Sequence, residues 1–403
     1  MKKNLWLAAL VGVALTGCVN EEVAPEAMQK DVLTFSAPVM TTQSRAKVMG
    51  EINGVQYDVR EEFKVYCKSY KGSFTGWNSS SDIQDYFNTN GDVAKNEGNN
   101  SKYWATSSTY YWPDHEFSLA FAAYSPADLG SDMYEQISMT GSGLNIEGFK
   151  VNGLADKQYD LMYSSRVFDR NRANNQSHAV GLLFHHALSS IVFSTEKEDE
   201  NVEYVITDLK LKGDFIMTAN FCQNIVENPT EGSDEEKTIQ KTKGKAAWTY
   251  TYNSGSEDPV VENIMFDPSF FKVVTNDEGT EEQDETESLQ TVTVTTVPTQ
   301  FTQGESALLL IPQDVNNTMG IELHYTKKYK VKGENSTEKE VTTQNIANIK
   351  LADFAQENDN KITKWEMGKR YVYRISFGQN KRIYFEPSTE NWVQEPTLIY
   401  TIQ

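Results

Sequence analysis

Cysteine is almost absent: the 403-residue chain has three, Cys18, Cys67 and Cys222. The last two stand far apart and make no disulfide framework. They read as isolated core thiols, with a pairing in an oxidising compartment as the alternative. Histidine is scarce as well, and the usual zinc-site spacings are missing. Acidic residues outnumber basic ones 57 to 37, a formal charge of −20 that repels nucleic acid and anionic lipid headgroups. Beyond one short leader, no apolar run approaches the roughly 20 residues of a spanning helix. No G-x-S-x-G, P-loop or G-x-G-x-x-G motif occurs. Nor does any convincing helical pattern exceed about two turns.

What is present begins with that leader. Lys2 and Lys3 precede an apolar run from Leu5 to Leu15, and Leu15-Thr16-Gly17-Cys18 closes it. A basic start, a short apolar stretch and a small residue at the cut are the layout of a secretory signal. The cysteine at the cut resembles the lipobox of bacterial lipoproteins. That resemblance implies cleavage between Gly17 and Cys18 and acylation of Cys18, and several acyl chains make a stable anchor. An ordinary signal peptide with a chance cysteine is the alternative. Residues 18–32 mix Glu, Pro, Ala, Gln and Lys without periodicity and read as a flexible tether. Glu21 and Glu22 resemble an acidic signal for export to the outer face, although acidic residues are common in any linker.

The remainder is organised in strands. Leu33-Thr34-Phe35-Ser36-Ala37-Pro38-Val39 alternates apolar with small or polar residues, and Pro38 predicts an edge or a strand end. A polar loop with Arg45 follows, where a trypsin-like protease would cut. Phe63 to Tyr70 alternates strictly: Phe63, Val65 and Cys67 share one face, and Lys64, Tyr66 and Lys68 predict a wet one. Residues 71–102 read as a long surface loop. Phe117 to Ser125 has small residues on both sides of its aromatic face, which predicts a strand buried between layers. Further short strands run from Ala179 to Phe385, with polar spacers between them. The prediction is an all-β fold of antiparallel β-sandwiches. A polar segment near 171–177 divides it into an N-terminal sandwich, 33–174, and a C-terminal one, 175–403.

No constellation for chemistry emerges, so no catalytic, cofactor-binding or metal-binding residue is assigned. Neighbours on a strand point to opposite faces, so His185 and His186 are expected one inward and one outward rather than on a common ion. Asp114-His115-Glu116 lacks an evident nucleophile. The acidic run Asn276 to Glu287 lacks the spacing of a calcium loop and reads as a solvated loop. Trp77 and Trp104 are the candidate sugar-stacking platforms.

Several blocks together resemble the fimbrillin family: the lipobox, the Leu-Thr-Phe strand ahead of Arg45, Tyr110-Tyr111-Trp112-Pro113 followed by Phe121-Ala122-Ala123-Tyr124-Ser125-Pro126, and Asp160-Leu161-Met162-Tyr163. Leu183-Phe184-His185-His186-Ala187-Leu188, Leu310-Ile311-Pro312-Gln313, Trp365 to Tyr373 and Ile383 to Trp392 continue the series. The resemblance implies two transthyretin-like antiparallel β-sandwich domains in tandem. It also implies a surface-exposed lipoprotein of the outer membrane, held by lipid on Cys18, that is a structural or adhesive subunit or anchor of a type V pilus and not an enzyme. In that family a protease cuts after an arginine, the first strand leaves, and a strand from another subunit fills the groove. Arg45 matches the cut, with Lys47 as a second basic site. The terminal Leu398, Tyr400 and Ile402 share one face and are the candidate donor strand, or else complete their own sheet. Other pilus subunits and a host protein or glycan receptor are the expected partners. A glycan-binding lipoprotein of a nutrient-uptake system is the alternative.

Overall fold

The computed structural model describes residues 32–36, 62–72, 83–96, 103–114, 116–140, 143–171, 179–224, 245–252, 258–266, 272–276, 285–301, 307–332, 338–354, 361–378, 393–394 and 398–402. Strands dominate them, with two single-turn 3-10 helices and no α-helix among the described residues. The all-β expectation holds.

The first sheet has ten strands. Its central pair, Phe63–Lys71 and Phe117–Ser125, runs antiparallel from Lys64 opposite Tyr124 to Lys71 opposite Phe117. The sheet's two end strands are Ala179–Gly181 and Phe184–His186, separated by only Leu182 and Leu183. The chain therefore steps directly from one end of the sheet to the other, so the sheet must roll upon itself. Phe35, Phe63, Val65, Cys67, Trp104 and Phe121 fill the interior of that roll.

The outer face of the same sheet is not wet. Tyr66 and Tyr70, together with Ala120, Ala122 and Tyr124, pack into a second and larger core. This corrects the reading of Phe63–Lys71. The lysines Lys64 and Lys68 are half-buried and Tyr66 is buried, because a four-stranded sheet covers them. That sheet runs in the order Lys245–Tyr250, Thr218–Asn224, Gly143–Lys150, Gln136–Thr140. Its Ile137, Met139, Leu144 and Ile146 share the core with the tyrosines, and the Tyr66 hydroxyl donates to the Ile137 carbonyl at 3.4 Å. The small residues Ala120 and Ala122 are what allow this close layering on both faces of Phe117–Ser125.

Two further sheets form the second half. One is built on a parallel pair, Ser189–Lys197 beside Lys369–Phe377. The other carries Glu203–Phe215, Gly320–Lys332 and Glu338–Lys350, all antiparallel. Ile191, Phe193, Tyr371, Tyr373 and Ile375 from one share a core with Ile206, Leu209, Leu211, Ile321 and Leu323 from the other. Within the second of these sheets, Gly213 at φ +146° leaves no room for a side chain, since a Cβ there would lie 2.7 Å from Met319 Cα, at the head of the neighbouring strand. Hydrogen bonding crosses residue 175 in both directions. Ala179–Gly181 and Phe184–His186 belong to the first sheet, and Gly143–Lys150 pairs with Thr218–Asn224.

Two loop readings also change. The stretch read as a loop over 71–102 contains the strands Gln84–Asp85 and Asp92–Asn96, both hydrogen-bonded to Phe63–Lys71, and Phe87 between them is buried in the first core. The acidic run near 276–287 begins and ends in a hairpin, Lys272–Asn276 against Glu285–Leu289.

Candidate assembly site

The strand Thr34–Ser36 is short, yet it is held on both sides. It runs parallel to Ala179–Gly181, with Phe35 opposite Val180, and antiparallel to Trp104–Thr106, with Phe35 opposite Trp104. Leu33 N donates to the Tyr110 carbonyl at 2.8 Å, and Leu182 N donates to the Ser36 carbonyl at 2.8 Å. Of the two positions suggested by Pro38, an edge is not adopted: the strand is internal to its sheet.

Alternation decides what it buries. Leu33 and Phe35 point inward and are fully buried, while Thr34 and Ser36 are half-exposed. The Phe35 ring lies 6.1 Å from Phe63, 6.2 Å from Phe87 and 5.7 Å from Phe121, edge-to-face with each. Burying two such side chains contributes about 3–6 kcal/mol as an upper estimate. Without them, the slot would be lined by those three rings with Trp104, Val180 and Leu182. Phe87 was missed by the sequence reading because polar residues surround it.

Gly17, Cys18, Arg45, Lys47, Trp77 and His115 lie outside the described residues. Leu398, Tyr400 and Ile402 belong to the strand Leu398–Ile402, which runs parallel to Lys369–Phe377, from Tyr373 opposite Leu398 to Phe377 opposite Ile402. Val393–Gln394 lies along the same strand. Trp104 is no sugar platform: its side chain is 0% exposed and packs against Phe63 at 6.2 Å. Cys67 and Cys222 are not joined in a disulfide; the first is buried and the second half-buried.

The family model described as fimbrillin-like matches residues 71–392. The chain belongs to the fimbrillin-like family. A fimbrial protein from Bacteroides vulgatus is 18% identical, with 89% of this chain and 99% of that one covered and a TM-score of 0.51. It shows the shared fold. A protein from Bacteroides uniformis assigned to cell adhesion is 10% identical over 86% of this chain and 94% of its own, TM-score 0.40. The fimbrial anchor protein Mfa2 from Porphyromonas gingivalis is 10% identical over 79% and 98%, TM-score 0.23. No curated protein matches.

This fimbrillin-like chain also buries a polar group at the end of its first sheet. His185 and His186 are both buried, so the expected outward histidine is corrected: each face of this strand is covered. They still point apart. His185 Nε2 lies 2.8 Å from Ser165 Oγ, and His186 Nδ1 lies 3.0 and 2.9 Å from the two oxygens of Asp160. Serine, histidine and aspartate are thus near one another in two separate dyads on opposite sides of a strand, which cannot relay one proton. Arg370 stands in the field of Asp160. Burial pushes its guanidinium down to about 10, and the Asp160 charge opposes that shift. Among the described residues no three metal-ligating side chains gather.

Proposed function

We propose that this chain is a structural or adhesive subunit, or the anchor, of a cell-surface fimbrium. It is exported through the 1–17 signal and tethered to the outer membrane by lipid on Cys18 and the 18–32 linker. Its two sandwiches are transthyretin-like domains in tandem, the first taking in the strands up to His186. It performs no catalysis; its function is to recruit a foreign strand.

The observation that supports this reading is the pairing of Leu33 to Ser36 on both sides within a rolled sheet. A cut after Arg45 would free the segment that holds this strand. Losing it would expose an apolar slot and leave two strands with unpaired backbone groups. A strand from another subunit satisfies both at once. The donor segment is Leu398 to Ile402. Among the described residues it is hydrogen-bonded along one side only, so its release breaks a single ladder. Other copies or subunits of the fimbrium are its partners, with a host protein or glycan at the exposed end.

The test is limited digestion of the full chain with a trypsin-like protease, followed by mass spectrometry and negative-stain microscopy. A new N-terminus at Ala46 together with fibres is expected, and Arg45→Ala should give neither. A cut chain that stays folded, monomeric and unresponsive to added Leu398–Ile402 peptide would defeat the reading.

A further inference from the structure

Among the described residues the longest strand edge in the second half is Glu338–Lys350, the last strand of its sheet. All thirteen of its residues pair with Gly320–Lys332 on one side, from Lys350 opposite Gly320 to Glu338 opposite Lys332. Among the described residues, nothing pairs with the other side. At about 3.3 Å per residue this open edge is roughly 43 Å long. Such an edge is a template for strand addition unless charge, proline, a bulge or a cover blunts it.

Here the blunting is confined to the ends. Glu338, Lys339 and Glu340 stand at one end and Lys350 at the other. Val341 to Ile349 carries no charge, no proline and no glycine, and is rich in β-branched residues. The even-numbered residues, Glu338 through Lys350, form the exposed face, and Ile346 is 62% exposed there. The strand's own charge is balanced, two glutamates against two lysines, in a chain of net −20. Two copies that meet along it bring no excess of like charge into the contact itself.

We propose that this edge is a docking surface for a second copy of the chain, joined antiparallel about a two-fold axis at Gln344. This is the register that uses all thirteen residues. It keeps the exposed set of one copy level with the exposed set of the other. It places Glu338 opposite the copy's Lys350, Thr342 opposite Ile346 and Val341 opposite Ala347, each twice by symmetry. Among the described residues the Glu338 carboxylate makes one ion pair, with Lys330 at 3.3 Å on the exposed surface, a pair of small worth that leaves it able to accept from Lys350 of the copy. The two five-membered and thirteen-residue-edged sheets then become one continuous sheet. This contact is lateral and separate from strand exchange at the Thr34–Ser36 slot, and it needs no cleavage at Arg45.

The experiment is sedimentation velocity of the uncut full chain over a range of protein concentrations. A reversible monomer–dimer equilibrium is expected. Thr342→Lys with Ile346→Lys puts lysines opposite lysines at exposed positions, so the dimer should vanish while the melting temperature holds. Lys350→Glu alone and Glu338→Lys alone should each raise the dimer dissociation constant about tenfold, an effect that fades in high salt. Mixed together, the two single variants should restore dimerisation, because each glutamate then faces a lysine. A wild-type chain that is monomeric at every concentration overturns the proposal. So does a dimer that survives the lysine pair, or a mixture of the two charge variants that stays as weak as either alone. Because no protease is present, none of these outcomes depends on whether strand exchange occurs.

Discussion

Phe35 meets Phe121 edge to face, with ring centroids 5.7 Å apart and planes inclined at 77°. The pair joins a three-residue strand to a central strand of the first sheet that is buried from Ser118 to Ser125. Replacing Phe35 by Ala removes a ring from a slot that other rings cannot collapse to fill. The uncut chain should lose about 3–5 kcal/mol in urea denaturation, whereas Thr34→Ala, on the half-exposed face, should cost under about 1 kcal/mol. Equal losses from the two would show that Phe35 does not anchor the strand.

Asp160 and His186 form a buried pair with almost no exposed side-chain surface. Asp160→Ala leaves the imidazole N–H without its acceptor and removes the charge that faces Arg370. It should destabilise the fold by about 3–5 kcal/mol. Asp160→Asn keeps an acceptor oxygen and should cost less. Thermal unfolding of both variants checks the order; Asn as damaging as Ala would mean the charge, and not the hydrogen bond, dominates.

Burial raises the Cys67 thiol well above its ordinary value, and the nearby Asp85 charge adds to the effect. Cys222, half-buried, is raised by desolvation as well. Near pH 8 an alkylating reagent should modify Cys222 faster than Cys67, and Cys67 should react only once denaturant is added. Peptide mapping by mass spectrometry separates the sites. Rapid labelling of Cys67 in the native chain would contradict its placement inside the rolled sheet.

Glu322 accepts from Lys212 at 2.9 Å and meets His324 Nε2 at 3.0 Å, and these contacts lower its carboxyl below the usual value. A depressed acid stabilises the fold above its unfolded value and loses that contribution as pH falls through the folded one. Glu322→Gln should therefore cost well under 1 kcal/mol at neutral pH, since the group is largely solvated. The difference from wild type should disappear in acid. A gap that persisted or widened below pH 3 would reverse the assignment.

Much of the architecture was legible in residue order. The alternation at Leu33–Ser36 and Phe63–Lys71 identified strands and their inward sets, and the alanines of Phe117–Ser125 announced a strand covered on both faces. The errors share one cause. Tyr66 was assigned to a wet face because lysines flank it, but lysine stems can lie against a covering layer while their ammonium groups reach water. Trp104 was read as an exposed aromatic and one of the two histidines as outward by strand alternation, although distant strands cover both positions. Phe87 sits in a polar stretch whose strands are only two and five residues long, too short for a periodic signal.

What the sequence alone determined is the β character of the chain, the inward residues of its longer strands and the ordered blocks of the fimbrillin-like family. Each is a local property of the chain, set by side-chain alternation and turn chemistry. Only the tertiary structure decided which layer covers each face. It also decided that Thr34–Ser36 lies between two strands far along the chain, and that Glu338–Lys350 ends its sheet with a side left open among the described residues. Backbone ladders are made between segments remote in sequence, and one strand's pattern of alternation carries no record of its partner.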